Sequence, residues 1–240
     1  MGWPASCIAV YSFEQNGNDL TGNGHNATPV NSPYYTTNYA KLGSYSYGAL
    51  DAQRYFTCPS SLDSAIGSLS SWSIVFWIYN LPKETGVKVN TPGSRCQIGS
   101  PITTYNFVLK VVASSDWLPD RIQWGVNNEI TIAYTYEENV WVRYNLEWTG
   151  TQAKLYANGT LISTMSTSIN CFSSGSCTTY LGRVNWNDQY FARGYEDKVI
   201  FYNGLLNGAD VEEELGKFKP LCEGLPTKKR VLGGGGRAFN

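Results

Sequence analysis

The chain is poor in charge, poor in histidine and without a long apolar run. Only 15% of its 240 residues are charged, against about a quarter in an average soluble domain. Positive and negative groups nearly cancel, for a formal net charge of -1. With no basic surplus there is nothing to recruit a phosphate backbone, which argues against nucleic acid as a partner. No apolar stretch approaches the roughly 20 residues a helix needs to span a bilayer core. The six cysteines form no C-x-x-C pair and the chain has one histidine, His25, so the spacing of a Cys/His zinc set is missing. The start, MGWPAS, has no basic segment leading into an apolar one, so no signal peptide is visible. The reading adopted is a mature form of an exported precursor. The match of MGWPAS to the myristoylation pattern is read as chance.

What is present is strand material. Hydrophobic residues make up 42% and aromatics 14%, ample for a core. Segments rich in β-branched and aromatic residues run at 8–13, 72–79, 107–112, 121–126, 130–136, 140–148, 153–157, 160–165, 178–182 and 198–202, with Gly, Asn, Asp, Ser and Pro between them. YANGTLI reads as a hairpin turning at Asn158–Gly159, because type I′ geometry needs positive φ at both central residues. One helix is expected, 207–218, capped by Asn207, acidic near its start and ended by Gly216. Many strands and one short C-terminal helix predict an all-β fold, a two-sheet antiparallel β-sandwich of jelly-roll type, over residues 1–222. Residues 223–240 form a separate tail with the basic cluster KKR at 228–230 and four consecutive glycines. Alone in water such a composition is disordered. The expectation is that it docks on its own domain or adds a strand to a neighbouring copy, with Val231, Leu232 and Phe239 as anchors.

Two further patterns bear on compartment and on the first loop. An even number of scattered cysteines favours disulfides and an oxidising, extracellular setting; six buried thiols are the alternative. Cys171 and Cys177 flank a short loop that a bridge could close. Sequons at Asn26 (NAT) and Asn158 (NGT) point the same way. The stretch NGNDLTGNGHNATP, 16–29, is almost devoid of large apolar residues and directly follows the first strand. Its glycines Gly17, Gly22 and Gly24 permit a sharp reversal, and its Asn and Asp side chains can cap turns.

Four signatures in order resemble the laminin-G-like, concanavalin A-like lectin/glucanase superfamily, from about Cys7 to Phe218. They are YSFEQNGNDLTGNGHNAT (11–28), SLSSWSIVFWIYN (68–80), VWVRYNLEWTGTQAKLYANGTLI (140–162) and YLGRVNWNDQYFARGYEDKVIFYNGLLNGADVEEEL (180–215). The resemblance implies a jelly roll. It also implies a structural calcium ion held by the first loop together with the acid of the last signature, here Asp19 and Asp197, with Asn18 and Asn23 assisting. Lys198 stands where a second acid is common and, on a strand, should face away from Asp197. The family's adjacent first and last strands imply a Cys7–Cys222 bridge, which leaves Cys58 with Cys96.

The superfamily includes glycoside hydrolases, but their E-x-D-x-x-E run is absent. The pairs Glu137–Glu138 and Glu196–Asp197 are adjacent and should point to opposite sheet faces, unlike two acids facing each other across a scissile bond. His25 has no convincing nucleophile partner. The chain therefore reads as non-catalytic. In one reading it is a self-assembling subunit of a glycosylated extracellular structure, joined to other copies through its tail. In the other it is a lectin-like module that binds glycans through Trp186, Tyr190, Asn185, Asp188 and Trp117. Trp72, Trp77, Trp141 and Trp148 lie in strand patterns and read as core or sheet-facing.

Overall fold

A computed structural model describes residues 3–41, 43–49, 54–80, 94–99, 107–112, 121–126, 130–135, 137–168, 170–174, 178–182 and 194–208. In chain order the strands are β1 (Cys7–Tyr11), β2 (Thr28–Val30), β3 (Tyr34–Thr36), β4 (Ser46–Ala49) and β5 (Tyr55–Thr57). The helix α1 (Ser60–Gly67) follows, then β6 (Trp72–Asn80), β7 (Ser94–Gly99), β8 (Phe107–Val112), β9 (Arg121–Val126) and β10 (Ile130–Ala133). The series ends with β11 (Trp141–Trp148), β12 (Gln152–Ala157), β13 (Thr160–Ser166), β14 (Tyr180–Leu181) and β15 (Gly194–Asn203), with a single 3-10 turn at Cys171–Ser174.

The strands form two antiparallel sheets. The larger runs β13-β12-β11-β6-β15-β4-β3, with β1 also on β15; the smaller runs β10-β9-β8-β7-β14-β5-β2. This is the predicted β-sandwich. All ten expected strand segments hold a strand, and the Asn158–Gly159 turn has φ of 46° and 84°, as a type I′ turn requires. Strict alternation decides which side of β6 faces inward. Trp72, Ile74, Phe76 and Ile78 enter the common core, where Val142, Tyr144, Leu146 and Trp148 of β11 join them. The smaller sheet contributes Phe56, Ile122, Trp124, Val126 and Leu181 to the same core. Fully burying one such side chain stabilises by about 1.5–3 kcal/mol.

β15 is shared along its length. Its first half pairs with β4 and its second half with β1, while β6 runs along its other side. The changeover is a bulge between Asp197 and Ile200, where Lys198 has φ 46°. The bulge overturns the expectation that Lys198 and Asp197 face opposite ways. Asp197 pairs with Trp77 on the outer side. The Lys198 ammonium lies 5.9 Å over Trp3, and Trp3 covers the outer cluster of Cys7, Val10, Val75, Ile200 and Leu206. One inserted residue resets the alternation.

The helix among the described residues is α1. It follows Pro59, buries Leu62 and Ile66 one turn apart, and carries Asp63 in its first turn. Of the expected C-terminal helix, Asn207 and Gly208 are described. Both take positive φ, 52° and 67°, in a turn held by the Glu147 carboxylate. Residues 209–218 lie outside the described residues, as does the tail with Val231, Leu232 and Phe239.

Candidate functional site

The outer side of the larger sheet is as aromatic as its inner side. Read along one rung of the ladder, Tyr34 of β3 faces Gly48 of β4, Gly48 faces Tyr195 of β15, Tyr195 faces Tyr79 of β6, and Tyr79 faces Trp141 of β11. Five strands at about 4.8 Å spacing give the row a length of about 19 Å. Tyr39, from the loop after β3, lies on the middle of the row. Its ring centroid is 4.3 Å from Tyr195, nearly parallel, and 4.7 Å from Tyr79. Tyr79 meets Trp141 edge-on at 5.5 Å.

Gly48 makes the row continuous. A Cβ there would stand 2.8 Å from Tyr34 Cδ1 and 3.1 Å from Tyr195 Cε1, so only glycine lets the two rings close over the backbone. Tyr34 is 41% exposed, and Tyr39, Tyr79 and Trp141 are half-buried. Burial raises the Tyr195 phenol pKa, and its neighbours Tyr39, Tyr34 and Tyr79 add to the effect. On the next rung Asp197 faces Trp77, and Trp77 faces Arg143. The Lys41 ammonium sits 4.5 Å over the Trp77 ring and the Arg143 guanidinium 5.9 Å away. The site is thus a flat aromatic strip with cations along one margin.

The buried acids serve as staples between loops and strands. Asp19 accepts hydrogen bonds from the Val10, Thr21 and His25 backbone N–H groups and from the Thr21 hydroxyl. Leu20 donates to the Val10 carbonyl, and the Asn23 amide donates to the Cys7 and Ile8 carbonyls. The Asn/Gly-rich stretch therefore folds back along the open edge of β1 and occupies the place of a further strand. Gly17 is needed there, because its Cβ would collide with the Ala27 carbonyl.

Glu14 holds the Ser44 and Tyr45 N–H groups, and Asp197 holds that of Lys41. Glu147 holds Asn207 and Gly208; burial raises its pKa against the pull of those two donors. Asp63 accepts from the Thr179 hydroxyl, its other oxygen is buried without a hydrogen bond, and burial pushes its pKa up to about 6.

This arrangement does not fit a calcium ion shared by Asp19 and Asp197. Asp19 lies beyond β1, beside Val10, which pairs with Ile200; Asp197 is three residues further along β15 and past the bulge. Strand rise and spacing put the two about 10 Å or more apart, whereas oxygens 2.3–2.6 Å from one ion lie within about 5 Å of each other. Among the described residues no cluster of three or more His, Cys, Asp or Glu side chains could hold a metal. Asn18 donates its backbone N–H to the Asn16 side chain, so Asn16 is the capping residue of that turn.

His25 does have a hydroxyl partner: its Nδ1 lies 3.0 Å from Ser61 Oγ, at the start of α1. The nearby carboxylate of Asp19 takes the His25 backbone N–H rather than its ring, so the pair is not extended into a triad. Glu196 pairs across from inward-facing Ile78 and Asp197 from outward-facing Trp77, on opposite faces as expected.

Both sequon asparagines are exposed. Their side-chain oxygens accept the Asp19 and Arg143 N–H groups respectively.

The cysteine pairings need correction. Cys7 and Cys58 are buried free thiols, so the Cys7–Cys222 and Cys58–Cys96 bridges are not formed. Thr57 aligns with Tyr180 and Tyr180 with Gly99. Cys58 is therefore offset from Cys96 by two strands and four residues, more than about 12 Å, where a disulfide needs Cα atoms about 4.4–6.8 Å apart. Burial pushes the Cys7 thiol pKa up to about 11 and that of Cys58 further. Cys171 is buried in the core; its expected partner Cys177, and Cys222, lie outside the described residues.

The expected sugar-facing residues Trp117, Asn185, Trp186, Asp188 and Tyr190 also lie outside the described residues. The aromatic row went unread because Tyr79 and Trp141 sit in strands apolar on both faces. The signal was there: in WSIVFWIY the odd positions, ending in Trp77 and Tyr79, form a second aromatic side.

Comparison with known proteins bears on this geometry. A search of curated protein sequences found no match. Among solved structures, the fold resembles domain 4 of an extracellular arabinanase from Geobacillus stearothermophilus, solved in complex with arabinotriose. The TM-score is 0.63 at 19% identity, covering 87% of this chain and 97% of that one. It also resembles the binding domain of Paraclostridial mosquitocidal protein 1, with TM-score 0.60 at 14% identity, and the receptor-binding domain of botulinum neurotoxin type G, with TM-score 0.57 at 16% identity. Each alignment covers 89% of this chain and 52% of the other, so the chain spans about half the length of those two domains. At these identities the likeness shows the fold alone. A family model for the concanavalin A-like lectin/glucanases superfamily matches residues 50–212, more than half of the chain, and the chain belongs to that superfamily.

Proposed function

We propose that the chain is a non-catalytic, extracellular carbohydrate-binding module whose glycan lies along the row Tyr34–Tyr195–Tyr79–Trp141, over or beside Tyr39, which stacks on Tyr195. The observation that carries this reading is the single ladder rung of aromatics on an outer sheet face. A sugar ring offers an apolar face of C–H groups that an aromatic plane covers well, while its hydroxyls remain free for the phenols and for solvent. The phenol hydroxyls and the nearby Lys41 ammonium supply donors at the margin. Support comes also from the superfamily and from the arabinotriose held by the structurally similar arabinanase domain.

Glu14, Asp19, Glu147 and Asp197 each hold backbone N–H groups of a loop or turn, a use that suits a binding role rather than hydrolysis. The exposed sequons Asn26 and Asn158 agree with an extracellular setting. The test is binding of the full chain to a panel of immobilised oligosaccharides that includes arabinotriose, with Tyr39→Ala and Tyr79→Ala as paired variants. Binding weakened by both variants supports the reading; a panel that captures nothing sinks it.

A further inference from the structure

The loop after β3 lies over the outer face of the larger sheet in step with the strand beneath it. Tyr39 meets Tyr79 at 4.7 Å, and Lys41, two residues on, places its ammonium 4.5 Å over Trp77, two residues back along β6. Residues 39–41 thus run antiparallel to β6 and follow its outward side chains. One hydrogen bond fixes them: the Lys41 backbone N–H donates to Asp197 Oδ2 at 2.8 Å, and that carboxylate is fully buried. Asp197 therefore holds the main chain, and the lysine side chain extends from a fixed point.

The charged groups around this spot differ in what solvent reaches. Arg143, Glu147 and Asp197 are buried. The Arg143 guanidinium donates to the Gly208 carbonyl, and the Glu147 carboxylate accepts from the Asn207 and Gly208 N–H groups. Lys154 is half-buried and pairs across from Glu147. Lys41 is exposed. Its ammonium covers the Trp77 ring, so that ring is not a further platform for a sugar. What the site offers there is a cation with N–H donors.

We propose that Lys41 makes the aromatic row selective for acidic saccharides, by pairing with the carboxylate of a uronic acid whose ring is seated on Tyr79. This selectivity rests on the carbohydrate-binding reading above. Position selects the occupant. Tyr79 and Trp77 are two residues apart on one strand, about 7 Å, in a direction at right angles to the row. A saccharide lying along the row places its next sugar over the next strand, so the group that meets Lys41 is a substituent on the edge of the same ring. In a uronic acid that substituent is a carboxylate, and in the neutral sugar a hydroxymethyl group. A hydrogen bond with ionised partners is roughly twice as strong as one between neutral groups, and screening at an exposed site keeps the gain modest.

The experiment is titration calorimetry of the full chain with trigalacturonate and with its carboxyl-reduced counterpart, the same trisaccharide bearing hydroxymethyl groups, at low and at high salt. The expected result is binding of the acid about three- to tenfold tighter at low salt, with the preference shrinking as salt rises. Lys41→Gln, which keeps the backbone N–H for Asp197, is expected to bring the acid-to-neutral ratio close to one, and Lys41→Arg to keep the preference. Equal binding of the two trisaccharides by the wild type, or a preference that survives Lys41→Gln, overturns the proposal. Where that equal binding still weakens in Tyr79→Ala, the carbohydrate-binding reading stands without it. Capture of neither trisaccharide overturns the proposal too, and the immobilised panel then decides whether the chain binds glycans at all.

Discussion

Tyr39 lies on Tyr195 with ring centroids 4.3 Å apart and planes 22° from parallel. This contact ties the loop after β3 to the strand at the centre of the larger sheet, and it sets the height of the aromatic row. Replacing Tyr39 by alanine removes one face of that stack from a half-buried position. Glycan affinity is expected to fall about two- to tenfold, in line with an aromatic contact of about 0.5–1.5 kcal/mol. The far-ultraviolet circular dichroism should not change. Titration calorimetry against the glycan retained best by the wild type measures the effect.

Gly48→Ala tests the row without deleting a ring. The added methyl would meet Tyr34 and Tyr195. Tyr34 is exposed and can swing away, so the strain is relieved at the surface. Thermal unfolding is expected to shift only slightly, by about 1–2 kcal/mol of stability at most. Glycan binding should fall further than stability does. A large loss of stability with unchanged binding would argue against the row as the binding surface.

Asp19→Ala removes the acceptor that serves three backbone donors and the Thr21 hydroxyl. Leaving buried donors unsatisfied costs about 1–3 kcal/mol, and the loop should detach from β1. Hydrogen exchange should accelerate at Val10, Thr21 and His25, while the β11 and β12 amides remain protected.

Asp63 gives the fold a specific pH dependence. An unfolded aspartate titrates near 3.9, whereas burial raises the folded value to about 6. Folding therefore takes up a proton between those values. The contribution is most favourable below about pH 4 and is lost as pH rises through about 6, a change of about 3 kcal/mol. Denaturant unfolding from pH 4 to pH 8 should show stability declining over that window. Asp63→Asn, which keeps an acceptor for Thr179, should flatten the decline.

Cys7 and Cys58 should resist iodoacetamide in the folded chain, being buried and held as thiols by raised pKa values. Both should label completely on unfolding without any reductant. Peptide mass spectrometry before and after denaturation distinguishes this from the bridged state.

Strand content was legible in the sequence because alternation and β-branched residues mark long strands, and all ten expected segments hold one. The short strands β2 to β5 were not, because three or four residues of Tyr, Ser, Gly and Pro carry no period of their own; they are set by neighbours already in place. β7 was missed as well, because SRCQIG has a single β-branched residue. The helix α1 was missed for a related reason. Its eight residues, SSLDSAIG, are half serine and glycine, and only Leu62 and Ile66 show the helical spacing. The resemblance indicated Asp19 and Asp197 as a pair, yet register decides proximity, and the bulge at Lys198 is invisible in the residue pattern. The aromatic row depends on five strands in register, a relationship no linear stretch displays.

The most direct test is equilibrium binding of the wild type and a Tyr39→Ala/Tyr79→Ala double variant to arabinotriose and the same oligosaccharide panel, with thermal unfolding recorded on both proteins. The account expects at least one glycan bound by the wild type and binding weakened more than tenfold in the variant, which remains folded. Binding that is equal in the two proteins, or absent from the wild type, would contradict it.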